Sequence, residues 1–424
     1  MLLRVLGKRR FLHKCYDDMF LDFLVQLASF ESSGLKIYHL FESIRRGDIE
    51  LGECYSVLAN QYIVLESSLG APHLALRKVA EAVPSTELSK FLRDYSTVLV
   101  TSGNTKHFVE SMLKQEFARF RAKVNEYQRT LDTLYEAYLV GVLVLMFFMV
   151  LPIWSLLPFI GILIIYALGM AGYFFAYRIC VKLHYTIPGH VILNDIIFST
   201  LAVALVLSLE AMLLLPALVL ILHMTTRKHV AVNNLLEQDT FRVIYDTYSQ
   251  VLMGRPVSTA LIESLGSSNS ALFRLLWFSL MLGVNPKEVL KMMKFPKLAY
   301  KVLYFLLATI LYGSAEGKHL VHAVEYLDEI VSVRKQVREK TKQYVLYSFI
   351  VIVLVVVAYI MLSRIPLASP LDKHAFSAYS SIGFLLVMQP AVLIRDGGFV
   401  SSRSAIGVVF VALATYLAMM NLAI

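Results

Sequence analysis

The residue types that carry most enzymatic and metal chemistry are present in this chain, but not at the spacings that such chemistry requires. Its 11 histidines are scattered, and neither His184 with His190 nor His223 with His229 is accompanied by the full set of carboxylates or thiols that a zinc site needs. The patterns GxxxxGK[ST], HExxH, GxSxG and GxGD, which mark phosphate cradles, zinc proteases, nucleophile elbows and membrane prepilin peptidases, do not occur. We therefore expect no catalytic residue, metal or cofactor, and a protein that is not an enzyme.

Two carboxylates interrupt the long apolar stretch 192–224. Charges inside a bilayer are costly and usually functional, so Glu210 could bind an ion and Asp195 could pair with a cation in a helix bundle. A turn at the outer surface also explains Glu210. Asp195 lies close to Pro188 and Asn194, where a helix is expected to begin, so it also suits a helix cap. We favour the turn and the cap.

Basic residues form two groups that could contact a partner. The first group lies near predicted helix ends, where a solvated surface is the simpler explanation, and comprises Arg9, Arg10, Arg45, Arg46, Lys287 and Lys291. The second group directly precedes an apolar segment and comprises Arg334, Lys335, Arg338, Lys340 and Lys342. Bases beside a membrane attract anionic lipid at about 1 kcal/mol each. For the second group we favour binding to anionic lipid, or the retention of positive residues on the inner side of the membrane, over contact with a partner protein.

The three cysteines, Cys15, Cys54 and Cys180, are far apart in the sequence and show no CxxC spacing. This arrangement supports neither a disulfide framework nor a zinc site. We expect free thiols and a reducing cytosolic environment for the polar parts of the chain.

The composition indicates an integral membrane protein. Hydrophobic residues make up 57% of the 424 positions and charged residues only 17%, which is too apolar for an ordinary soluble protein. Most charges fall in two stretches, residues 1–136 (the first polar block) and 225–343 (the second polar block). We therefore predict four parts, with four spans in 137–224 between the blocks and three spans in 344–424.

The spans are predicted from length, since about twenty apolar residues cross the hydrocarbon as a helix. The predicted spans are 138–156, 157–176, two halves of 192–224 divided at Glu210, 344–362, 376–394 and 405–422. Positive residues in short loops stay inside the cell, and in this arrangement they fall on one side. Those residues include Arg178, Lys182, Arg227, Lys228, Arg395 and Arg403. Both polar blocks are thus expected in the cytoplasm and the C-terminus outside. The excess of Lys and Arg in cytoplasmic loops also explains the net charge of +9.

The polar blocks have the pattern of helical bundles. In the first, Phe20, Phe23, Leu27 and Phe30 share one side of a helix opposite Asp18, Asp22, Gln26 and Ser29, the spacing of an amphipathic helix that Gly34 ends. Further breaks are expected at residues 70–72, at Pro84 before the N-cap Ser85, and at 102–103; a long helix then runs from about Lys106 to Glu136.

The second block repeats these breaks. Gly254, Gly283, Gly317 and Pro296 correspond to Gly34, Gly70, Gly103 and Pro84, with similar spacings. Asn285, Pro286 and Glu288 supply an N-cap, a first-turn proline and an acid at the third position of a helix. Two copies of one helical domain are therefore expected.

Four segments resemble the type II secretion system F family. They are FLVQLASFESSGLKIYHLFESI at 23–44, LGAPHLALRKVAEAVP at 69–84, VTSGNTKHFVESML at 100–113 and VLMGRPVSTALIESL at 251–265. The resemblance covers both polar blocks and the order of spans. Four spans between the blocks and three after them look more like the archaeal archaellum or adhesive-pilus platform proteins than like bacterial members.

The resemblance implies an all-α, polytopic platform protein of the cell membrane, with two cytoplasmic helical-bundle domains and about seven transmembrane helices. Its implied partners are a cytoplasmic hexameric secretion ATPase, pilin-like filament subunits, membrane lipids and a second copy in a homodimer, with no nucleic acid. The first basic group, including Arg45 and Lys287, would then contact the ATPase. The alternatives are a membrane transporter or channel, which should place ionisable residues near the bilayer midplane, and an enzyme with an unfamiliar site.

Overall fold

The structure, a computed structural model, describes residues 2–150, 157–207, 214–268, 270–312, 318–362 and 373–421. These residues form sixteen helices and no strand, which confirms the all-α prediction. The helices are α1 (Leu2–Ser32), α2 (Ile37–Arg45), α3 (Glu53–Leu69), α4 (Pro72–Ala82), α5 (Thr86–Thr101), α6 (Thr105–Val150), α7 (Leu157–Lys182), α8 (Gly189–Leu207), α9 (Leu215–Leu252), α10 (Val257–Gly266), α11 (Ala271–Met281), α12 (Pro286–Met292), α13 (Lys297–Tyr312), α14 (Lys318–Leu362), α15 (Lys373–Asp396) and α16 (Arg403–Asn421).

The chain divides into two compact units. Unit 1 contains Met1–Ala122, Glu237–Phe295 and Ala299–Ile330, so both polar blocks contribute to it. Unit 2 contains Lys123–Leu236, Pro296–Leu298 and Val331–Ile424, and it includes most of the apolar segments. Four of the described helices, α6, α9, α13 and α14, have residues in both units; α13 has only its first two residues in unit 2.

Local signals in the sequence place several helix ends correctly. Gly34 follows α1 with a φ of +80°, a left-handed conformation that glycine adopts without the steric cost of a Cβ. The Ser85 hydroxyl accepts a hydrogen bond from the backbone N–H of Leu88 and caps α5. The Asn285 side chain accepts one from the N–H of Lys287 and caps α12. The long helix predicted from about Lys106 to Glu136 is continuous and forms part of α6.

The order of helices and turns repeats between the two polar blocks. Each block contributes a long helix, four shorter helices and a second long helix: α1 to α6 in the first block and α9 to α14 in the second. Two predicted glycine pairs match in conformation, with φ values of +80° and +91° at Gly34 and Gly254 and of +63° and +69° at Gly70 and Gly283. The third predicted counterpart, Gly317, lies outside the described residues.

The first-block core of unit 1 is rich in aromatic side chains. Phe23 on α1 stacks on Phe41 of α2 and on Tyr55 of α3, with ring centroids 6.0 and 5.1 Å apart. Its edge meets Phe91 of α5 at 6.0 Å. All four rings are buried, and aromatic pairs at these distances add to the hydrophobic stabilisation. The predicted apolar side of α1 is therefore the centre of this core.

The second block contributes a core to unit 1 that is richer in leucine than the first-block core. Phe273 and Leu276 of α11 are fully buried there, together with Leu261 of α10 and Leu290 of α12. Leu303 of α13 completes the contact between the short helices. The two cores have matching helix orders but different side chains.

A disulfide bond joins Cys15 on α1 to Cys54 at the start of α3. The expectation of free thiols is therefore wrong for these two residues, because the fold brings together cysteines that are 39 positions apart in the sequence. Cys180 is a free cysteine, as expected, and it is buried. No local spacing rule detects such a pair.

Reducing this disulfide should destabilise the protein. Cross-linking a loop of this length restricts the unfolded chain and stabilises the fold by about 2 to 4 kcal/mol. We expect Cys54→Ser, or dithiothreitol added to the unmodified protein, to lower the melting temperature in detergent. The Cys180→Ser variant should remain sensitive to dithiothreitol. Equal melting temperatures under oxidising and reducing conditions would contradict the pairing.

Unit 2 is organised around α15. Residues 380–394 of this helix are buried at every position, and two glycines of α7 allow close packing against it. A Cβ on Gly169 would lie 3.1 Å from the Leu386 side chain, and one on Gly172 would lie 3.4 Å from Pro390. Small residues let helices approach closely in apolar surroundings.

The predicted apolar segments fall in helices wherever the structure describes them: in α6, α7, α8, α9, α14, α15 and α16. Among the described residues, two helical stretches are long and apolar enough to cross a membrane, Leu163–Lys182 of α7 and Leu320–Val357 of α14. The stretches in α7 and α14 are weak evidence that the protein associates with a membrane. Glu210, at which the sequence analysis divides the stretch 192–224, lies outside the described residues.

Candidate functional site

Three of the four residues on the predicted polar side of α1 are buried instead of facing water. Asp22, Gln26 and Ser29 are each at most 5% exposed, although an amphipathic helix on a domain surface would expose them. Lys301 of α13 approaches Asp22 with its Nζ 2.5 Å from Oδ2. The Tyr326 hydroxyl of α14 donates to Oδ1 at 3.0 Å. The polar side of α1 thus contacts the second polar block within unit 1.

A second contact between the blocks lies after α2. The ammonium group of Lys287, on α12, donates to the main-chain carbonyl of Asp48, and the Tyr304 hydroxyl of α13 donates to the same carbonyl at 2.9 Å. Lys287 Nζ also lies 5.5 Å from the centre of the Tyr304 ring. On the same helix, Lys291 forms a 2.5 Å ion pair with Glu50. The two lysines therefore hold the segment between α2 and α3.

Burial lowers the pKa of Lys287 to about 8, because a charged ammonium is costly to remove from water. Between that value and 10.5, the folded protein binds fewer protons at this site than the unfolded chain does. The contribution of Lys287 to stability is therefore flat below the folded pKa and rises with pH across this window.

This shift predicts a pH-dependent difference between two lysine variants. The melting temperature of the unmodified protein relative to Lys287→Met should rise as the pH is raised from about 7 to about 9.5. The exposed Lys294 provides the matched control, since Lys294→Met should show no such trend. A constant difference for Lys287→Met across this range would contradict the burial of its charge.

A third contact pairs Arg121 of α6 with Glu329 of α14, with Nε 2.7 Å from Oε1. At the Asp22 and Glu50 contacts, the first block supplies the acid and the second block supplies the base. In the Arg121–Glu329 pair, the first block supplies the base and the second block supplies the acid. Asp22, Lys301 and Lys287, together with these partners, are called the interblock contact below. Its chemistry is that of a structural clamp, because each charge meets an opposite charge or a carbonyl.

The residues of the first basic group fall into different surroundings. Lys287 is buried in the interblock contact and Lys291 is paired there. Arg45 and Arg46 are at the end of α2, where Arg46 is exposed and pairs with Glu42 of the same helix. Arg45 is exposed as well, so contact of either arginine with a partner stays a prediction. Arg9 and Arg10 lie in α1, but their side chains are outside what the structure describes.

The second basic group is on α14, within unit 2. Arg334 is buried, where its Nε donates to the Leu183 carbonyl at 2.8 Å and its guanidinium lies 4.2 Å from the centre of the Tyr185 ring. The other members are less buried: Lys340 pairs with Asp132 at 3.4 Å, Lys342 pairs with Glu339, and Lys335 and Arg338 are exposed. Arg334 therefore faces protein, whereas the rest of the group can meet lipid headgroups or a partner.

Asp195 is the most thoroughly bonded carboxylate described in unit 2. Its Oδ1 accepts from the N–H of Val400 at 2.8 Å, and its Oδ2 accepts from the N–H of Phe399 at 2.9 Å and from the Tyr173 hydroxyl at 2.8 Å. The prediction that Asp195 caps its own helix is wrong, because α8 begins at Gly189 and Asp195 instead binds the loop between α15 and α16. We call this arrangement the Asp195 clamp.

The loop held by the Asp195 clamp is closely packed. A Cβ on Gly398 would lie 2.5 Å from the Ser401 Oγ and 2.6 Å from the Val191 side chain. His223 of α9 also reaches the loop, with its Nδ1 2.9 Å from the Val400 carbonyl. Both Asp195 oxygens are therefore occupied by groups that fix the loop.

Within the described part of the chain, no three histidine, cysteine, aspartate or glutamate side chains group as metal ligands would. His190 and His229 do come together, with ring centroids 4.6 Å apart in an edge-to-face arrangement. This pair has no carboxylate or thiol beside it among the described contacts, so its geometry is that of an aromatic contact.

Comparison with known proteins adds no assignment to this geometry. Protein-family models, curated proteins and solved structures each give no match to the chain.

Proposed function

We propose that this protein is a multi-pass membrane platform for assembling a filament of the type IV pilus kind, such as an archaellum, an adhesive pilus or a type II secretion pseudopilus. In this proposal, unit 1 is cytoplasmic and receives motion from a hexameric secretion ATPase. Unit 2 lies in the cell membrane and presents pilin-like subunits to the growing filament. The protein itself catalyses no reaction.

The repeated helix order is the observation that carries this proposal. Two blocks with the same succession of long and short helices, and with left-handed glycines at two matching turns, contribute to one compact unit. Ion pairs between the blocks favour placing both on one side of a membrane. This is the organisation that the resemblance to the secretion F family implies.

The membrane part of the proposal rests on unit 2. Candidate spans in α7 and α14 carry large apolar side chains that are exposed to the surroundings, including Leu168, Phe174, Leu346, Ile350 and Val353. Exposed apolar stripes of this kind are expected where lipid covers a helix. We propose that α6, α7, α8, α9, α14, α15 and α16 provide seven spans, with the C-terminus outside.

The disulfide places a condition on this arrangement. Intracellular disulfides are rare except in hyperthermophilic archaea and bacteria, yet Cys15 and Cys54 are bonded in the unit that we place in the cytoplasm. The archaeal branch of the family, which we favour, satisfies this condition if its host grows at high temperature.

The ATPase is proposed to meet the exposed bases of unit 1. Arg45 and Arg46 are the described candidates from the first basic group, whereas Lys287 and Lys291 are better explained by the interblock contact. Motion of unit 1 would act on the membrane part through α6, α9 and α14, since each of these helices is continuous. A homodimer would present two such sets of helices.

Deletion and copurification in the native cell test this function. Loss of the chain should abolish one class of surface filament, and the tagged full-length protein should copurify with a secretion ATPase. Arg46→Glu should reduce that copurification at least tenfold, whereas Lys78→Glu, at another exposed base, should leave it unchanged. Intact filaments after deletion would contradict the proposal.

A transporter or channel is the second candidate, because polar side chains are buried among the apolar helices of unit 2. The Ser199 hydroxyl donates to the Gln389 Oε1 at 2.9 Å, close in sequence to Asp195. The carboxylate that a transporter would use is, however, fully engaged by the Asp195 clamp. Ion or solute flux through proteoliposomes of the purified protein, lost in Gln389→Leu, would favour this candidate over the platform.

A further inference from the structure

Helix α11 of unit 1 is apolar on both of its sides. Phe273 and Leu276 face inward and are fully buried in the second-block core. Leu275, Phe278 and Met281 face outward, and each is more than half exposed. A helix that is hydrophobic all round is normally covered by protein or lipid, so the outward side needs a partner.

The exposed apolar residues of α11 form a continuous patch, because their spacing places them on one side of the helix. Leu275, Phe278, Met281 and Leu282 recur every three or four residues, and Val284 follows in the next turn; we call these five residues the α11 patch. Helix α3 occupies the same place in the helix order of the first block, and its exposed side is mixed: Val57, Val64 and Leu69 alternate with polar residues such as Asn60, Gln61, Ser67 and Ser68. The exposed side of α3 is therefore more polar than the α11 patch.

The chain around the patch is basic. Residues 271–295 contain four lysines and arginines but only one acid, Glu288. Lys287 and Lys291 are held in the interblock contact. The other two are exposed: Arg274 on α11 itself and Lys294 after α12. Apolar side chains beside bases are the combination that binds the boundary between anionic headgroups and acyl chains.

We propose that the α11 patch docks on the anionic surface of the membrane that holds this protein, with Phe278 and Met281 entering the headgroup region. The inference rests on the proposed membrane function. A lipid surface is favoured over an acidic protein because the spans keep it permanently available.

The fluorescence of Trp277, on α11, provides a native probe. The chain contains two tryptophans, so Trp154→Phe leaves Trp277 as the sole emitter. The full-length variant would be placed in nanodiscs of phosphatidylglycerol or phosphatidylcholine that carry a nitroxide-labelled lipid. We expect at least twofold stronger quenching in phosphatidylglycerol. Phe278→Ser with Met281→Ser should remove this difference, whereas Val57→Ser with Val64→Ser on α3 should retain it.

Three results would overturn the inference. The first is equal quenching in both lipids, and the second is quenching that the Phe278 and Met281 substitutions do not change. The third is cross-linking of two copies through Met281→Cys without quenching, which would assign the patch to a second copy. A chain that fails to enter nanodiscs at all would instead contradict the membrane function on which the inference rests.

Discussion

Replacing Asp22 with alanine should lower the free energy of unfolding by about 3 kcal/mol, since breaking a buried ion pair from one side typically costs about 3 to 5 kcal/mol. The substitution leaves the largely buried Lys301 ammonium without its carboxylate and removes the acceptor of the Tyr326 hydroxyl. The loss is large because the remaining charge stays desolvated. Thermal unfolding of the full-length protein in detergent measures it.

Two matched variants distinguish a broken pair from a general effect of substitution in α1. Asp18→Ala alters an exposed carboxylate one turn away and should shift stability by less than about 1 kcal/mol. Asp22→Leu combined with Lys301→Met should be less damaging than Asp22→Ala alone, since it removes both charges. If Asp22→Ala behaved like Asp18→Ala, the interblock contact would not hold the two blocks together.

Asp195→Ala should be the most damaging single substitution in unit 2, with an expected loss of about 4 kcal/mol, since each buried donor left without a partner costs about 1 to 3 kcal/mol. The substitution removes the acceptor of two main-chain N–H groups and of the Tyr173 hydroxyl. The melting temperature in detergent should fall sharply, together with the yield of folded protein.

Controls for this prediction lie at the same position and beside it. Asp195→Asn keeps one acceptor oxygen and should lose about half as much stability as the alanine variant, while Asn194→Ala should be nearly neutral. An Asp195→Ala protein that melts normally but has lost ion flux would show that the carboxylate serves transport instead of holding the loop after α15.

The features that can be predicted from the sequence depend on neighbouring residues. A glycine with positive φ commonly ends a helix, so Gly34, Gly70 and Gly254 mark turns by their residue type and their place after apolar helical segments. The caps at Ser85 and Asn285 are similarly local, because each side chain binds an N–H two or three residues away. The all-α class and the repeated order of helices follow from these breaks.

The features that cannot be predicted in this way depend on distant residues. Asp22 has the spacing of a solvated face, and its partners Lys301 and Tyr326, far along the chain, make its burial favourable. The cysteine pair and the donors to Asp195 likewise meet across long stretches of sequence. The sequence around Lys287 is typical of an exposed helix start and favours a partner contact, whereas its ammonium group binds the Asp48 carbonyl.

The central claim is that both polar blocks face the cytoplasm as parts of one unit, and cysteine labelling tests it most directly. Arg46→Cys and Arg242→Cys place single exposed thiols in the first and second blocks, while the natural cysteines are bonded or buried. The account predicts that a membrane-impermeant maleimide labels neither site in intact cells and both sites after permeabilisation. Labelling of either site from outside the intact cell would contradict it.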